Sequence, residues 1–248
     1  MNYRKDDRLD FISDCSKNIS EMGADTDLRN ISNSWLVKSA SYKYSYNFSW
    51  LGLPIIQHPQ DILAIQEIIW ETKPDVIIET GVARGGSLIL SASILHLLNG
   101  NGKVLGIDID IRPHNKDAIE KHPLASRINL IEGSSIDENI VEKIKKYIKP
   151  NDRVMVCLDS NHTHDHVYKE LQLYSSLVTK DCYLVVMDSV IEDMPRDQFP
   201  DRSWGKGNNP KTAIHEFIRQ TERFKIDDFI TNKLLITVAP DGYLKCIK

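Results

Sequence analysis

The chain is poor in cysteine, in excess charge of either sign and in long apolar runs. Its four cysteines (Cys15, Cys157, Cys182, Cys246) form neither CxxC pairs nor a dense spacing, which argues against a zinc ribbon and a disulfide-stapled domain. Cys157 and Cys182 lie inside apolar, strand-like runs and read as buried thiols. A net charge of −4 offers no broad basic surface, so no nucleic-acid partner is expected. No apolar stretch approaches the roughly 18 residues of a membrane span. The start, MNYRKDDRLDFISD, is charged where a signal peptide would be apolar. There is no internal repeat and no low-complexity tract. The expectation is a soluble, reduced, cytoplasmic protein. With 248 residues, 41% of them hydrophobic, the chain has room for one sizeable α/β domain and an amino-terminal extension.

What is present centres on Pro74 to Leu97. The β-branched run Val76-Ile77-Ile78 ends in Glu79-Thr80-Gly81, followed by Arg84-Gly85-Gly86-Ser87 and an apolar segment of helical length. A short run of that kind suits a strand buried on both faces of a parallel sheet. Gly81, Gly85 and Gly86 allow a tight turn and close approach of backbone to a ligand, and Ser87 stands where a helix begins. Strand, glycine-rich turn and helix form the ligand-binding corner of a doubly wound α/β domain. The spacing is neither the dinucleotide GxGxxG nor a P-loop.

In chain order, residues 1–48 suggest helices over Leu9 to Ile19 and Leu28 to Lys38, then the aromatics Tyr42, Tyr44, Tyr46 and Phe48. That cluster suits a lid, a subunit contact or surface packing. Residues 49–248 form the main domain. A helix over Gln60 to Thr72 precedes the central strand. Lys103 to Asp110 is a second strand; Asp108, with Asp110 as runner-up, falls where nucleoside-binding folds grip the ribose. Ile128 to Ile131 is a third, and the turn after it, Glu132-Gly133-Ser134-Ser135, is placed to face a base. Arg153 to Asp159 is a fourth, leading into His162, His164 and His166. Cys182 to Asp188 is a fifth, followed by Ser189. Leu234 to Val238 and Tyr243 to Ile247 read as a closing hairpin. Four successive strands thus end in acids (Glu79, Asp108, Asp159, Asp188), and strand carboxyl ends are where open α/β sheets keep their sites.

The blocks IIETGVARGGSLILSA, VLGIDIDIRPHN, LDSNHTHDHVYKEL, YLVVMDS and WGKGNNPKTAIHEF together resemble the cephalosporin hydroxylase / rhamnosyl O-methyltransferase family, from about Trp50 to the carboxyl terminus. The resemblance implies a Rossmann-like class I methyltransferase sheet of seven strands, mostly parallel, with an antiparallel carboxyl-terminal hairpin. It implies S-adenosyl-L-methionine as cofactor, with Glu79 and Gly81 at its methionine end beside Gly85, Gly86 and Ser87. Asp108 would hold the ribose, and Ser134 or Ser135 would approach the adenine. The family is also similar to catechol O-methyltransferases. That likeness makes Asp159 and Asp188 ligands of Mg²⁺, with Asp159 also beside the cofactor. Ser189 falls where the catechol enzymes have an amide ligand, and Met187 where some relatives have a second acid. Glu192, Asp193 or water would complete the set. His162, three residues after Asp159, would be the general base, a task suited to an imidazole.

The activity so implied is Mg²⁺-assisted O-methylation of a sugar hydroxyl on a glycolipid, polysaccharide or secondary metabolite. A homo-oligomer is expected from the resemblance and the aromatic amino-terminal segment. Two other readings stand beside it: an iron-dependent hydroxylase using His162, His164 and His166, and a non-catalytic subunit that binds the cofactor for a partner enzyme. The Trp204 to Pro210 loop reads as a sugar-binding lid or as a packed connection to the last long helix.

Overall fold

The structure, a computed structural model, describes residues 7–248. Helices α1 (Arg8–Ala24) and α2 (Thr26–Ala40) open it, with Asp25 capping α2 by accepting from the Leu28 N–H. A short hairpin follows, β1 (Phe48–Trp50) and β2 (Leu53–Ile55). Leu51 and Gly52 both have positive φ (45° and 94°), the backbone signature of a two-residue hairpin turn whose twist matches its strands. Then come α3 (Pro59–Thr72), β3 (Val76–Thr80), α4 (Gly86–Leu97), β4 (Lys103–Asp108), α5 (Pro113–Glu120), β5 (Ile128–Glu132) and α6 (Glu138–Lys145). The second half holds β6 (Val154–Leu158), α7 (His164–Tyr174), β7 (Tyr183–Val186), α8 (Pro210–Gln220), β8 (Phe224–Ile226), α9 (Asp228–Leu234) and β9 (Tyr243–Cys246).

Seven strands make one sheet in the order β5-β4-β3-β6-β7-β9-β8. The four pairings from β5 to β7 are parallel, and β9 is antiparallel to both β7 and β8. The strand order turns back between β3 and β6, and such a switch point opens a crevice at the strands' carboxyl ends. Every residue of β3, β6 and β7 is buried, as a sheet covered on both faces requires. Side chains alternate between two layers. Ile77, Met155 and Cys157 pack with α3, α4 and α9, while Val76, Ile78, Val154 and Val156 pack with α6, α7 and α8.

The hairpin β1–β2 sits on the start of α4. A Cβ on Gly86 would lie 2.3 Å from the Pro54 carbonyl oxygen, and the Trp50 indole N–H donates to the Ser93 hydroxyl at 3.0 Å. Helix α1 packs on α9, with Gly23 against the Asn232 side chain. Leu36 of α2 packs with Val190 and Met194.

The expected seven-stranded, mostly parallel sheet is present, but its closing hairpin is built differently. Leu234 to Val238 is not a strand; β9 pairs instead with β8, and α9 lies between them. The cause is a buried carboxylate. Asp61 in α3 is fully buried and accepts from the Thr237 hydroxyl, the Val238 N–H (3.0 Å) and the Tyr243 hydroxyl (2.7 Å). With Val238 tied there and its carbonyl accepting from the Val190 N–H, the run cannot form a ladder. Burial pushes the Asp61 carboxyl up to about 6 against the pull of these three donors. Asp61→Ala would leave those donors without their acceptor, and we expect a stability loss of about 3 kcal/mol. Urea unfolding with an unchanged slope measures it; a loss below about 0.5 kcal/mol would mean the network does not hold the carboxyl-terminal segment.

Candidate active site

The β3–α4 turn is shaped by contacts that exclude side chains. Gly81 has φ +94°, and a Cβ there would lie 2.1 Å from the Asp159 carbonyl oxygen. Gly85 has φ +85° and faces Ile119, where a Cβ would approach to 2.5 Å. Gly86, as above, faces the hairpin. Asp108 at the end of β4 holds the turn: its carboxylate accepts from the Val82 N–H (2.8 Å), the Ala83 N–H (3.3 Å) and the Asp110 N–H (3.1 Å). Glu79 is buried and accepts from the Ser87 hydroxyl. Burial pushes its carboxyl up to about 7, opposed by that hydrogen bond.

After β5, Ser134 is half-buried and its carbonyl accepts from the Asp137 N–H. Ser135 is buried, with its hydroxyl 3.0 Å from His166 Nε2 and 3.4 Å from the Ser160 hydroxyl. Ser160 donates to the fully buried Glu170 at 2.7 Å. The Ser135 hydroxyl is therefore engaged with α7.

Past β6 and β7, Asp159, His162 and Asp188 come together. Each offers one ligand atom, and these lie within 4.8 Å of one another. His162 Nε2 is 3.3 Å from Asp188 Oδ2, and the His162 ring meets Trp204 edge-on at 5.2 Å. Asp188 has φ 57°, a left-handed conformation that an aspartate tolerates better than most residues. Burial, then the Asp188 and Glu79 carboxylates, push the Asp159 carboxyl well above the usual range. A divalent cation would relieve that repulsion and supply the missing opposite charge. Two carboxylate oxygens with water satisfy Mg²⁺, and an imidazole nitrogen is also a metal donor.

Ser189 does not join them. It is fully buried and its hydroxyl donates to the Pro240 carbonyl, so the expected ligand role is corrected: the left-handed turn at Asp188 aims the next side chain away. Glu192 and Asp193 are also engaged elsewhere. Glu192 accepts from the Gly207 N–H (2.7 Å) and the Asn209 amide, and Asp193 pairs with Lys211 at 2.7 Å. Met187 is buried in the core.

The three histidines diverge. His164 Nδ1 lies 2.8 Å from the Thr212 hydroxyl and its Nε2 3.2 Å from Glu216, both in α8, whereas His166 turns to Ser135 and Ser160. Among the described residues, the one cluster of possible metal ligands includes neither. The shared-iron arrangement is overturned, because alternate residues at a helix start point in different directions rather than one.

Above the acids lies a cavity of ≈ 1010 Å³, with Asp159, His162 and Asp188 in its lining. Tyr44 and Tyr46 come to it from the amino-terminal segment, and Phe199, Arg202 and Trp204 from the loop before α8. Phe199 and Trp204 pack at 4.8 Å. That loop closes on itself through a bridge between Gly205 and Asn208, and Asn209 caps α8. Sequence reasoning missed Gln57 and His58, which also line the cavity; the polar pair just before Pro59 was the available signal.

The sequence model of the rhamnosyl O-methyltransferase/CmcI family matches residues 42–247. The chain is 31% identical over 201 residues to rhamnosyl O-methyltransferase of Mycobacterium tuberculosis, covering 79% of this chain and 77% of that one. It is 30% identical over 199 residues to the Mycobacterium leprae enzyme of the same name, covering 79% and 82%. Among solved structures it is similar to apo CmcI-N160, with TM-score 0.58, 18% identity and coverage of 82% of this chain and 77% of that one. CmcI-D160 with Mg and SAM gives TM-score 0.55 at 18% identity, covering 82% and 78%. An O-methyltransferase from Bacillus cereus in complex with SAH gives 0.52 at 14% identity, covering 88% and 90%. These structures share the fold.

The geometry groups Asp188, and not Ser189, with the residues that could hold a cation. Asp188→Ala is expected to weaken Mn²⁺ binding, read by calorimetry, at least tenfold, and Ser189→Ala to leave it within about twofold. Equal weakening by both would put the serine back at the cation.

Proposed function

The chain belongs to the rhamnosyl O-methyltransferase/CmcI family and is an S-adenosylmethionine-dependent O-methyltransferase, and from that premise we propose that it methylates a sugar hydroxyl with the help of Mg²⁺. The observation that carries this reading is the meeting of Asp159, His162 and Asp188 beside the β3–α4 turn and below a large cavity. The rhamnosyl name of the relatives supports a sugar acceptor, and the aromatic walls of the cavity suit the apolar faces of a pyranose.

In this reading Glu79, Gly81, Gly85, Gly86 and Ser87 shape the place for the methionine end of the donor. Gly81 does so by bringing backbone to the end of β6, and Gly85 and Gly86 by setting where α4 begins. Asp108 stands at the ribose; its Oδ2 already accepts from the Val82 and Ala83 N–H groups, and its Oδ1 accepts from Asp110 alone and has a further lone pair for a hydroxyl. Ser134 and Ser135 lie toward the adenine. Asp159 and Asp188 hold the cation. When bound, the donor supplies an electrophilic methyl group, and Mg²⁺ lowers the pKa of a coordinated hydroxyl and fixes its position.

The protein's part is placement and proton removal. Aligning an acceptor oxygen with the methyl group supplies about 7–11 kcal/mol in well-oriented systems. His162 lines the cavity beside Asp188, and its imidazole takes the hydroxyl proton as the oxygen becomes nucleophilic. The Asp188 carboxylate 3.3 Å away stabilises the imidazolium that results. Trp204, edge-on against the ring, limits its rotation.

His162→Ala is expected to lower kcat by about 10²–10⁴-fold while S-adenosylhomocysteine affinity stays within about twofold. Transfer of labelled methyl to p-nitrophenyl α-L-rhamnopyranoside, with calorimetry for the product, measures both. Full activity in His162→Ala would remove His162 from proton transfer.

A further inference from the structure

Two consecutive side chains in the cavity wall have buried polar atoms without partners. Gln57 and His58 are 5% and 7% exposed, and Gln57 Oε1 and His58 Nδ1 have no hydrogen bond among the described residues. Leaving a buried polar atom without a partner is destabilising, and native interiors contain few of them. Gln57 also borders a small internal cavity with Glu79 and Ser87, which puts it on the donor side. His58 does not border that small cavity.

The imidazole of His58 is held firmly. Pro59 follows it at the first position of α3, and the His58 carbonyl accepts from the Ile62 N–H at 3.0 Å. Its ring centroid lies 5.4 Å from Tyr44 and 6.1 Å from Trp35, which meet each other edge-on at 4.8 Å. Tyr44 in turn packs edge-on against Phe48 at 5.0 Å. Burial holds the His58 imidazole below its ordinary pKa, opposed by the Asp188 carboxylate. A neutral imidazole has one donor and one acceptor nitrogen, the pattern that a sugar hydroxyl matches.

We propose that His58 is a specificity-determining residue of the acceptor pocket: its imidazole hydrogen-bonds a sugar hydroxyl other than the one methylated, and Trp35 and Tyr44 hold the ring for that contact. The amino-terminal segment is then part of the acceptor site rather than an appendage. The inference rests on the sugar-methyltransferase reading given above.

The test uses the full chain with Mg²⁺ and labelled donor, on p-nitrophenyl α-L-rhamnopyranoside and its 2-, 3- and 4-deoxy counterparts. His58→Phe keeps ring packing against Trp35 and Tyr44 and removes both nitrogens; His58→Gln restores a donor and an acceptor. On the rhamnoside, His58→Phe is expected to lose about 10- to 100-fold in kcat/KM, mainly through KM, and His58→Gln to recover part of it. One deoxy sugar should show the same loss with the unsubstituted protein and no further loss with His58→Phe. Affinity for S-adenosylhomocysteine should stay within about twofold throughout. An unchanged kcat/KM in His58→Phe, an equal loss on every deoxy sugar, or a parallel fall in S-adenosylhomocysteine affinity would overturn the assignment while leaving the sugar reading intact. If the unsubstituted protein methylates neither these rhamnosides nor the matching glucoside and mannoside, the sugar reading falls and the assignment of His58 falls with it.

Discussion

Gly81 leaves no room for a Cβ, which would lie 2.1 Å from the carbonyl oxygen of Asp159. That contact joins the turn after β3 to the end of β6 at the point where the strand order reverses. With φ at +94°, the position is open to glycine for conformational as well as steric reasons. The glycine-rich turn and the acid at the end of β6 are therefore set against each other by backbone, before any side chain is placed. Asp108 secures the same turn from the other side by accepting the Val82 and Ala83 N–H groups. A donor bound to the turn and a cation bound to Asp159 would then be neighbours by construction.

The electrostatics follow from that geometry. Three acids, Asp61, Glu79 and Asp159, are buried deeply enough for burial to be the largest influence on each, and all three carboxyls are raised. Their compensations differ in kind. Asp61 has three donors and ties α3 to the carboxyl-terminal segment; Glu79 has the Ser87 hydroxyl. Asp159 is raised by Asp188 as well as by burial, and no hydrogen bond offsets it among the described residues. That difference separates the structural acid Asp61 from Asp159, the one we propose as a cation ligand. Around the pair, the amino-terminal segment and the loop before α8 raise the walls of the cavity, and α2 reaches the segment after β7 through Leu36, Val190 and Met194.

Much of this was legible in the sequence, because buried parallel strands announce themselves as β-branched runs and their terminal acids can be counted. The central five strands, the helices α1 and α2 and the family resemblance rest on such local signals. The closing hairpin was not legible in the same way. Leu234 to Val238 has the composition of a strand, yet its conformation is decided by Asp61, about 175 positions away in the chain, a tertiary override of propensity. Ser189 followed from alignment to a motif, and the left-handed backbone at Asp188, which periodicity does not reveal, turned it away. The β1–β2 hairpin hid in Leu51-Gly52, where a leucine adopts positive φ that its residue type disfavours. His58 was hidden for another reason: an orphaned nitrogen is a property of surroundings, not of spacing.

The measurement that bears most directly on this account is calorimetric titration of the protein with S-adenosylhomocysteine, in parallel with Asp108→Ala. The account predicts one-to-one binding to the unsubstituted chain and at least tenfold weaker binding to Asp108→Ala, since that carboxylate shapes the turn and is the group we propose for the ribose. No binding to the unsubstituted chain, with or without Mg²⁺, would contradict the donor site at the β3–α4 turn and with it the role given to the acids beside it.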